Sequence, residues 1–120
     1  MILDVDETLV HSSFNETEDA DIVLPIDIEG RTHNIFINVR PNCREFIIEV
    51  GKYFEVVIFT ASLSKYAIPL MDILDQHNIA PQRLFREHCS FYNGMYVKDM
   101  QRVGRNLEHT IIIDNSPNSY

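Results

Sequence analysis

Three short apolar runs that each break off in polar residues restrict the fold of this chain more than any other feature. Met1-Ile2-Leu3 gives way to Asp4-Val5-Asp6, Phe54-Glu55-Val56-Val57-Ile58-Phe59 to Thr60-Ala61-Ser62, and Ile111-Ile112-Ile113 to Asp114-Asn115. Runs of this length and β-branched content, without a polar alternate, read as strands buried on both faces, and such strands belong to parallel sheets covered by helices. The intervening stretches have the matching helical period. After the boundary at Arg40-Pro41 come Phe46, Ile47, Val50 and Phe54, which predict a helix to about Tyr53; Leu63, Tyr66, Ala67, Leu70, Met71 and Leu74 predict a second, which Pro69 should interrupt or restart. The expectation is one open α/β domain over residues 1–120, with its site at the carboxyl ends of the strands.

The remaining segments are punctuated by turn residues. The acidic stretch Asn15-Glu16-Thr17-Glu18-Asp19-Ala20-Asp21 reads as a loop. Strict alternation follows, with Ile22, Leu24, Ile26 and Ile28 on one side, a turn at Glu29-Gly30, and Ile35, Ile37 and Val39 resuming the period of two. This β-hairpin, at about 21–39, is either a small inserted sheet near the loop that carries Asp4 and Asp6 or an edge hairpin of the main sheet. Beyond a connection at 78–82, Leu84-Phe85-Arg86-Glu87 suggests a short strand, and Asn93-Gly94 between aromatic flanks a tight hairpin over 90–97. Asp99 is placed to cap a helical turn that runs to Val103 and ends at Gly104.

Charge and composition remove several function classes. The formal net charge is −8 and no basic tract is present, which argues against a nucleic-acid-binding surface. No apolar run approaches the ~20 residues that span a bilayer, and no basic leader precedes an apolar stretch. Cys43 and Cys89 are too few for a disulfide framework and too isolated for a zinc site, so reduced thiols and an intracellular chain are expected.

The chemistry is concentrated in Asp4-Val5-Asp6-Glu7-Thr8. Residues i and i+2 of a strand point to the same side, so two carboxylates would share one small volume, and their repulsion calls for a cation or a shared proton. The same spacing suits phosphoryl transfer, with Asp4 as nucleophile and Asp6 as general acid. Thr60, Asp114 and Asn115 sit at the ends of the other two apolar runs and join this pair if the strands are neighbours.

The D-x-D-x-T pattern after an apolar strand resembles the haloacid-dehalogenase-like phosphotransferases. The longer run Leu3 to Phe14, together with Phe59-Thr60-Ala61-Ser62-Leu63, Leu84-Phe85-Arg86-Glu87, Tyr96-Val97-Lys98-Asp99 and Ile113-Asp114-Asn115-Ser116-Pro117, is similar to the small phosphatases acting on the C-terminal domain of RNA polymerase II. The resemblance implies a Rossmann-like haloacid-dehalogenase fold with a small β insert, here trimmed at both ends and therefore marginally stable. It implies that Asp4 becomes an aspartyl phosphate, that Asp6 is the acid and then the base, that Thr60 binds a phosphoryl oxygen, that Lys98 adds positive charge and holds the Asp4 carboxylate, and that Asp114 orients Lys98 or a metal-bound water. Magnesium would be held by a carboxylate oxygen of Asp4, the backbone carbonyl of Asp6 and the side-chain oxygen of Asn115.

An apolar pocket for a proline of the phosphopeptide would comprise Phe14, Ile26, Ile28, Ile35, Leu63 and Tyr66, with Arg86 contacting the peptide. An ordinary small core under the insert is the competing expectation for these isoleucines. The implied partner is the polymerase C-terminal domain in the nucleus. Two alternatives share the motifs or the fold: a Dullard-like phosphatase at the nuclear envelope or endoplasmic reticulum, and a non-catalytic mitochondrial import receptor domain.

Overall fold

The computed structural model describes residues 1–120 and places the three apolar runs side by side. Strand β1 (Ile2–Leu3) is central. In chain order, β2 (Val10–Ser13), β3 (Ile22–Ile28), β4 (Arg31–Val39), α1 (Cys43–Val50), β5 (Val57–Phe59), α2 (Ser64–Leu74), β6 (Arg83–Leu84), β7 (Ser90–Tyr92), β8 (Met95–Val97) and β9 (Ile112–Ile113) follow. The main sheet has the order β6-β5-β1-β9. All its pairings are parallel, with Ile2 opposite Val57 and Ile112, and Leu3 opposite Ile58 and Ile113. The sheet therefore has one parallel strand more than the apolar runs announced, since Arg83–Leu84 pairs outside β5.

Alternate residues of these strands feed two cores. Leu3, Ile58 and Ile113 pack with Ile47 of α1, with Leu70, Met71 and Leu74 of α2 and with the insert, whereas Ile2, Val57, Phe59 and Ile112 pack with Leu84, Cys89, Met100 and Val103. Both faces are covered, as the unbroken apolar runs require.

The insert is a separate antiparallel sheet of order β2-β4-β3, so it is three strands and not a lone hairpin, and it is not an edge of the main sheet. Val10–Ser13 completes it by pairing with Phe36 to Val39. Glu29 and Gly30 both adopt positive φ, 52° and 79°, the two-residue turn whose twist matches that of the flanking strands. Pro25 is tolerated because β3 is an edge strand, where a missing amide hydrogen breaks no ladder. Asn93 and Gly94 turn β7 into β8 in the same way, at φ 50° and 76°.

Other boundaries differ from the periodicity. Helix α1 ends at Val50, and a further turn over 51–53 is held by the amides of Lys52 and Tyr53 donating to the carbonyls of Glu49 and Val50 at 3.2 and 3.1 Å; at Gly51 a Cβ would come within 2.3 Å of Ile79 Cγ2. Strand β5 is shorter than the apolar run and starts at Val57. Helix α2 runs straight through Pro69, which costs one hydrogen bond but leaves the buried stripe Tyr66, Ala67, Leu70, Met71 and Leu74 in place. After Leu84 the chain becomes a 3-10 turn at Arg86–His88 instead of continuing as a strand. The turn capped by Asp99 forms as expected over Met100–Val103 and ends at Gly104 in the left-handed region. The connection after α2 is held by Asp75, a buried carboxylate that accepts from the amides of Ile79 and Ala80 at 2.8 Å each.

Candidate active site

Asp4 leaves the end of β1 with its carboxylate buried and fully partnered. Lys98 Nζ donates to Oδ1 at 2.8 Å and Thr8 Oγ1 donates to Oδ2 at 2.9 Å. Lys98 is itself 2% exposed, so it is not a surface lysine; its second carboxylate partner is Asp114, whose Oδ2 accepts at 2.5 Å. Asp114 Oδ1 in turn accepts from the Ser116 amide at 3.0 Å, and Lys98 N donates to the Ser119 carbonyl at 2.6 Å. The turn after β9 thus locks both ends of the lysine. Asp114-Asn115-Ser116-Pro117 is a turn by composition, and that turn is what positions the charge.

Burial pushes the Asp4 carboxyl above its ordinary value, while the hydrogen bond and charge of Lys98 and the Thr8 hydroxyl pull it down and Asp114 adds to the rise. One ammonium does not suffice for this cluster. Counted formally, Asp4 and Asp114 bring two negative charges against the single positive charge of Lys98.

Asp6 has no such cation. Its Oδ1 accepts from Tyr66 OH at 2.9 Å, and its Oδ2 accepts from Ser62 Oγ at 2.5 Å and Thr60 Oγ1 at 3.4 Å. The expected crowding of the two carboxylates is therefore relieved differently from the sequence argument: Asp4 is turned to Lys98 and Asp6 to hydroxyls. Glu7, next in the chain, sits at φ 62°, a left-handed kink that turns the chain toward the insert, and its amide donates to the Val10 carbonyl at 2.8 Å.

The amide of Asn115 reaches the same spot. One of its terminal atoms lies 2.9 Å from Asp4 Oδ2 and 3.3 Å from the Asp6 carbonyl oxygen. With nitrogen there, it donates to both. With oxygen there, three oxygens face one another and need a cation among them, and an all-oxygen set of this kind suits a hard divalent ion such as magnesium. The excess negative charge points the same way. No group of three or more His, Cys, Asp or Glu side chains in the chain is arranged to hold a metal ion, so an ion here would draw on the Asp6 carbonyl and the Asn115 amide beside the Asp4 carboxylate.

Thr60 is buried at the end of β5, accepts from the Ser62 amide at 3.1 Å and bonds Asp6; it does not cap α2, whose N-cap is Leu63. All seven residues expected at the peptide pocket line one open cavity of about 290 Å³ beside Asp6: Phe14, Ile26, Ile28, Ile35, Leu63, Tyr66 and Arg86. Both expectations for the isoleucines hold in part. Ile26, Ile35 and Tyr66 are buried and belong to the main core, whereas Phe14 and Leu63 are 62% and 44% exposed and form a rim. Core residues floor the pocket. Arg86 is fixed by donating Nε–H to the Ala61 carbonyl at 2.7 Å and by stacking 4.8 Å from the Tyr96 ring centre.

Burial, with the Asp6 carboxylate beside it, pushes the Tyr66 hydroxyl well above its ordinary value, so it remains a proton donor. Sequence reasoning gave no role to Ser62, Thr8 or Lys65. Ser62 lies two residues after Thr60 at a strand end, a spacing that puts both hydroxyls on one side; Lys65 donates to the Asp27 carbonyl at 3.1 Å and joins α2 to the insert.

Comparison with known proteins gives a consistent picture. The family model described as NLI interacting factor-like phosphatase matches residues 1–120. The chain is 52% identical over 120 residues to the human carboxy-terminal domain RNA polymerase II polypeptide A small phosphatase 2, covering all of this chain and 44% of that protein. It is 52% identical over the same length to phosphatase PSR1 of Saccharomyces cerevisiae, covering 28% of it. The chain spans less than half the length of these curated relatives. The solved structure of Fcp1, an essential RNA polymerase II CTD phosphatase, superposes with a TM-score of 0.83 at 18% identity over 99% of this chain and 38% of that one, which establishes the α/β fold.

Proposed function

Since the chain belongs to the NLI interacting factor-like phosphatase family, we propose that it hydrolyses phosphoserine or phosphothreonine in proteins through an aspartyl phosphate on Asp4. The observation that carries this reading is the Asp4 carboxylate itself, buried at a strand end and aimed by Thr8 and Lys98. A nucleophile must be oriented before it meets phosphorus, and phosphoryl transfer draws most of its acceleration from such positioning and from charge neutralisation.

A carboxylate oxygen of Asp4 attacks phosphorus while the bond from phosphorus to the serine oxygen breaks, and Asp6 gives its proton to that oxygen. Asp6, now a carboxylate, takes a proton from water as the water oxygen attacks the phosphoryl group. The bond to Asp4 then breaks and inorganic phosphate leaves. Lys98, oriented by Asp114, offsets the charge gathered at Asp4, and Thr60 offers a hydroxyl to the phosphoryl oxygens. Magnesium, held by Asp4, the Asp6 carbonyl and the Asn115 side-chain oxygen, would supply the remaining positive charge.

The pocket supports a peptide with an apolar residue, a proline by preference, near the phosphoserine. The polymerase C-terminal domain, and with it a nuclear site of action, is the substrate reading that fits this pocket and the name of the human relative. Retention of Asp4, Asp6, Thr60, Lys98 and Asn115 in one cluster favours catalysis over a binding-only role such as the import receptor. The test is acid quenching during turnover of a phosphoserine peptide with magnesium, followed by mass spectrometry. A hydroxylamine-sensitive phosphoryl group on the peptide containing Asp4 supports the proposal, and turnover with label on any other residue contradicts it.

A further inference from the structure

Tyr66 belongs to the pocket and to the acid at once. Its ring lines the cavity with Ile26 and Phe14, and its hydroxyl donates to Asp6 Oδ1 at 2.9 Å. From the loop after β5, Ser62 donates to the other oxygen at 2.5 Å. Asp6, just past a strand end and partly buried, is held by these two close donors on two different elements, with Thr60 a longer third at 3.4 Å.

We propose that Tyr66 and Ser62 are the positioning residues for Asp6, holding its carboxyl group toward the leaving oxygen, and that Tyr66 makes this depend on the pocket, because a substrate side chain seated there packs against the same ring. The proposal rests on the reading of Asp6 as general acid. The choice of partners fits that role. A hydroxyl donates to a carboxylate and, after rotating, accepts from a carboxylic acid, so the same two groups serve Asp6 before and after its proton moves to the leaving oxygen. A lysine or arginine would hold only the carboxylate. Asp4, which needs no proton, has the lysine instead.

The test compares kcat/KM for p-nitrophenyl phosphate, whose phenolate leaves without protonation, with that for ethyl phosphate, whose alkoxide needs the acid. Both are small, so the peptide pocket is left empty and its role in binding is removed from the readout. The 120-residue chain carrying Tyr66→Phe, Ser62→Ala or Ser62→Thr is assayed with magnesium, and thermal melts verify folding. The aryl-to-alkyl ratio should rise about tenfold in Tyr66→Phe and in Ser62→Ala, through kcat for ethyl phosphate and not KM, and return toward the parent value in Ser62→Thr. In an Asp6→Asn background, Tyr66→Phe should add nothing. An unchanged ratio in folded Tyr66→Phe and Ser62→Ala, or equal losses on both substrates, overturns the proposal while leaving the phosphatase reading intact. Absence of turnover on both phosphates by the parent chain would overturn that reading and this proposal together.

Discussion

The two sides of the exit from β1 are built on opposite principles. On the Asp4 side, three carboxylate or amide side chains and one lysine are packed at the end of a buried parallel sheet, with the Thr8 hydroxyl as a neutral donor beside them. On the Asp6 side, two residues later, the partners are neutral hydroxyls and the surroundings are an open cavity floored by core isoleucines and rimmed by exposed Phe14 and Leu63. The difference teaches that one strand end can feed two environments, a buried charged one and an open apolar one, to which the proposed function assigns chemistry and recognition.

The largest effects should come from the charged side. Asp4→Asn should bring turnover to background on every substrate, since an amide cannot form the acyl phosphate; near-normal rates would remove Asp4 from its role. Excess EDTA should stop the parent enzyme and magnesium should restore it, and full activity in chelator would show that the oxygen set around Asn115 holds no required ion. Lys98→Ala should lower kcat by about a hundredfold or more on aryl and peptide substrates alike. It should also destabilise the fold by ~3–5 kcal/mol, because Asp4 and Asp114 are then left buried without their partner; denaturant melts with an unshifted midpoint would show that the cluster is not a buried ion network.

The pocket can be divided by stability alone. Ile35 is 7% exposed within the main core, so Ile35→Ala should cost ~2–4 kcal/mol in chemical denaturation. Phe14 is 62% exposed and Phe14→Ala should stay within ~0.5 kcal/mol of the parent. If Phe14→Ala costs as much as Ile35→Ala, the rim is core and the cavity is closed in solution.

What the sequence disclosed follows from how local each signal is. The unbroken apolar runs at Ile2, Val57 and Ile112 announced parallel strands because burial on both faces leaves no room for polar alternation, and the period-two isoleucines announced the insert. The short strand expected from Leu84 lies one residue earlier, at Arg83–Leu84, because two residues carry no period to fix its bounds, and Val10–Ser13 escaped notice because His11 and the serines face out or toward the cavity. Pro69 misled, since the packing of five buried residues along α2 outweighs the single hydrogen bond it forfeits.

At the site, residue types and strand ends brought forward Asp4, Asp6, Thr60, Asp114 and Asn115 as candidates, whereas Lys98 entered only through the family resemblance. The partners of Lys98 were expected only through the resemblance, and the hydroxyl partners of Asp6 were not legible at all. Nothing in the order of residues says that Lys98, 94 positions away, would take Asp4 while Tyr66 and Ser62 would take Asp6. Those pairings are set by elements that meet only in the folded chain: the turn after β9, which holds Lys98, and α2 with the loop after β5, which carry Tyr66 and Ser62.

The division between chemistry and recognition is tested most directly by one ratio: kcat/KM for a phosphoserine peptide with a neighbouring proline over that for the same peptide with alanine, measured in the parent, Lys98→Ala and Phe14→Ala proteins. Burying a proline ring in the cavity should give the parent a preference of roughly ten- to thirtyfold. Lys98→Ala should keep that preference while losing rate on both peptides, and Phe14→Ala should bring it close to one. A preference that survives Phe14→Ala, or collapses in Lys98→Ala, would show that the two sides of β1 are a single site and contradict the account.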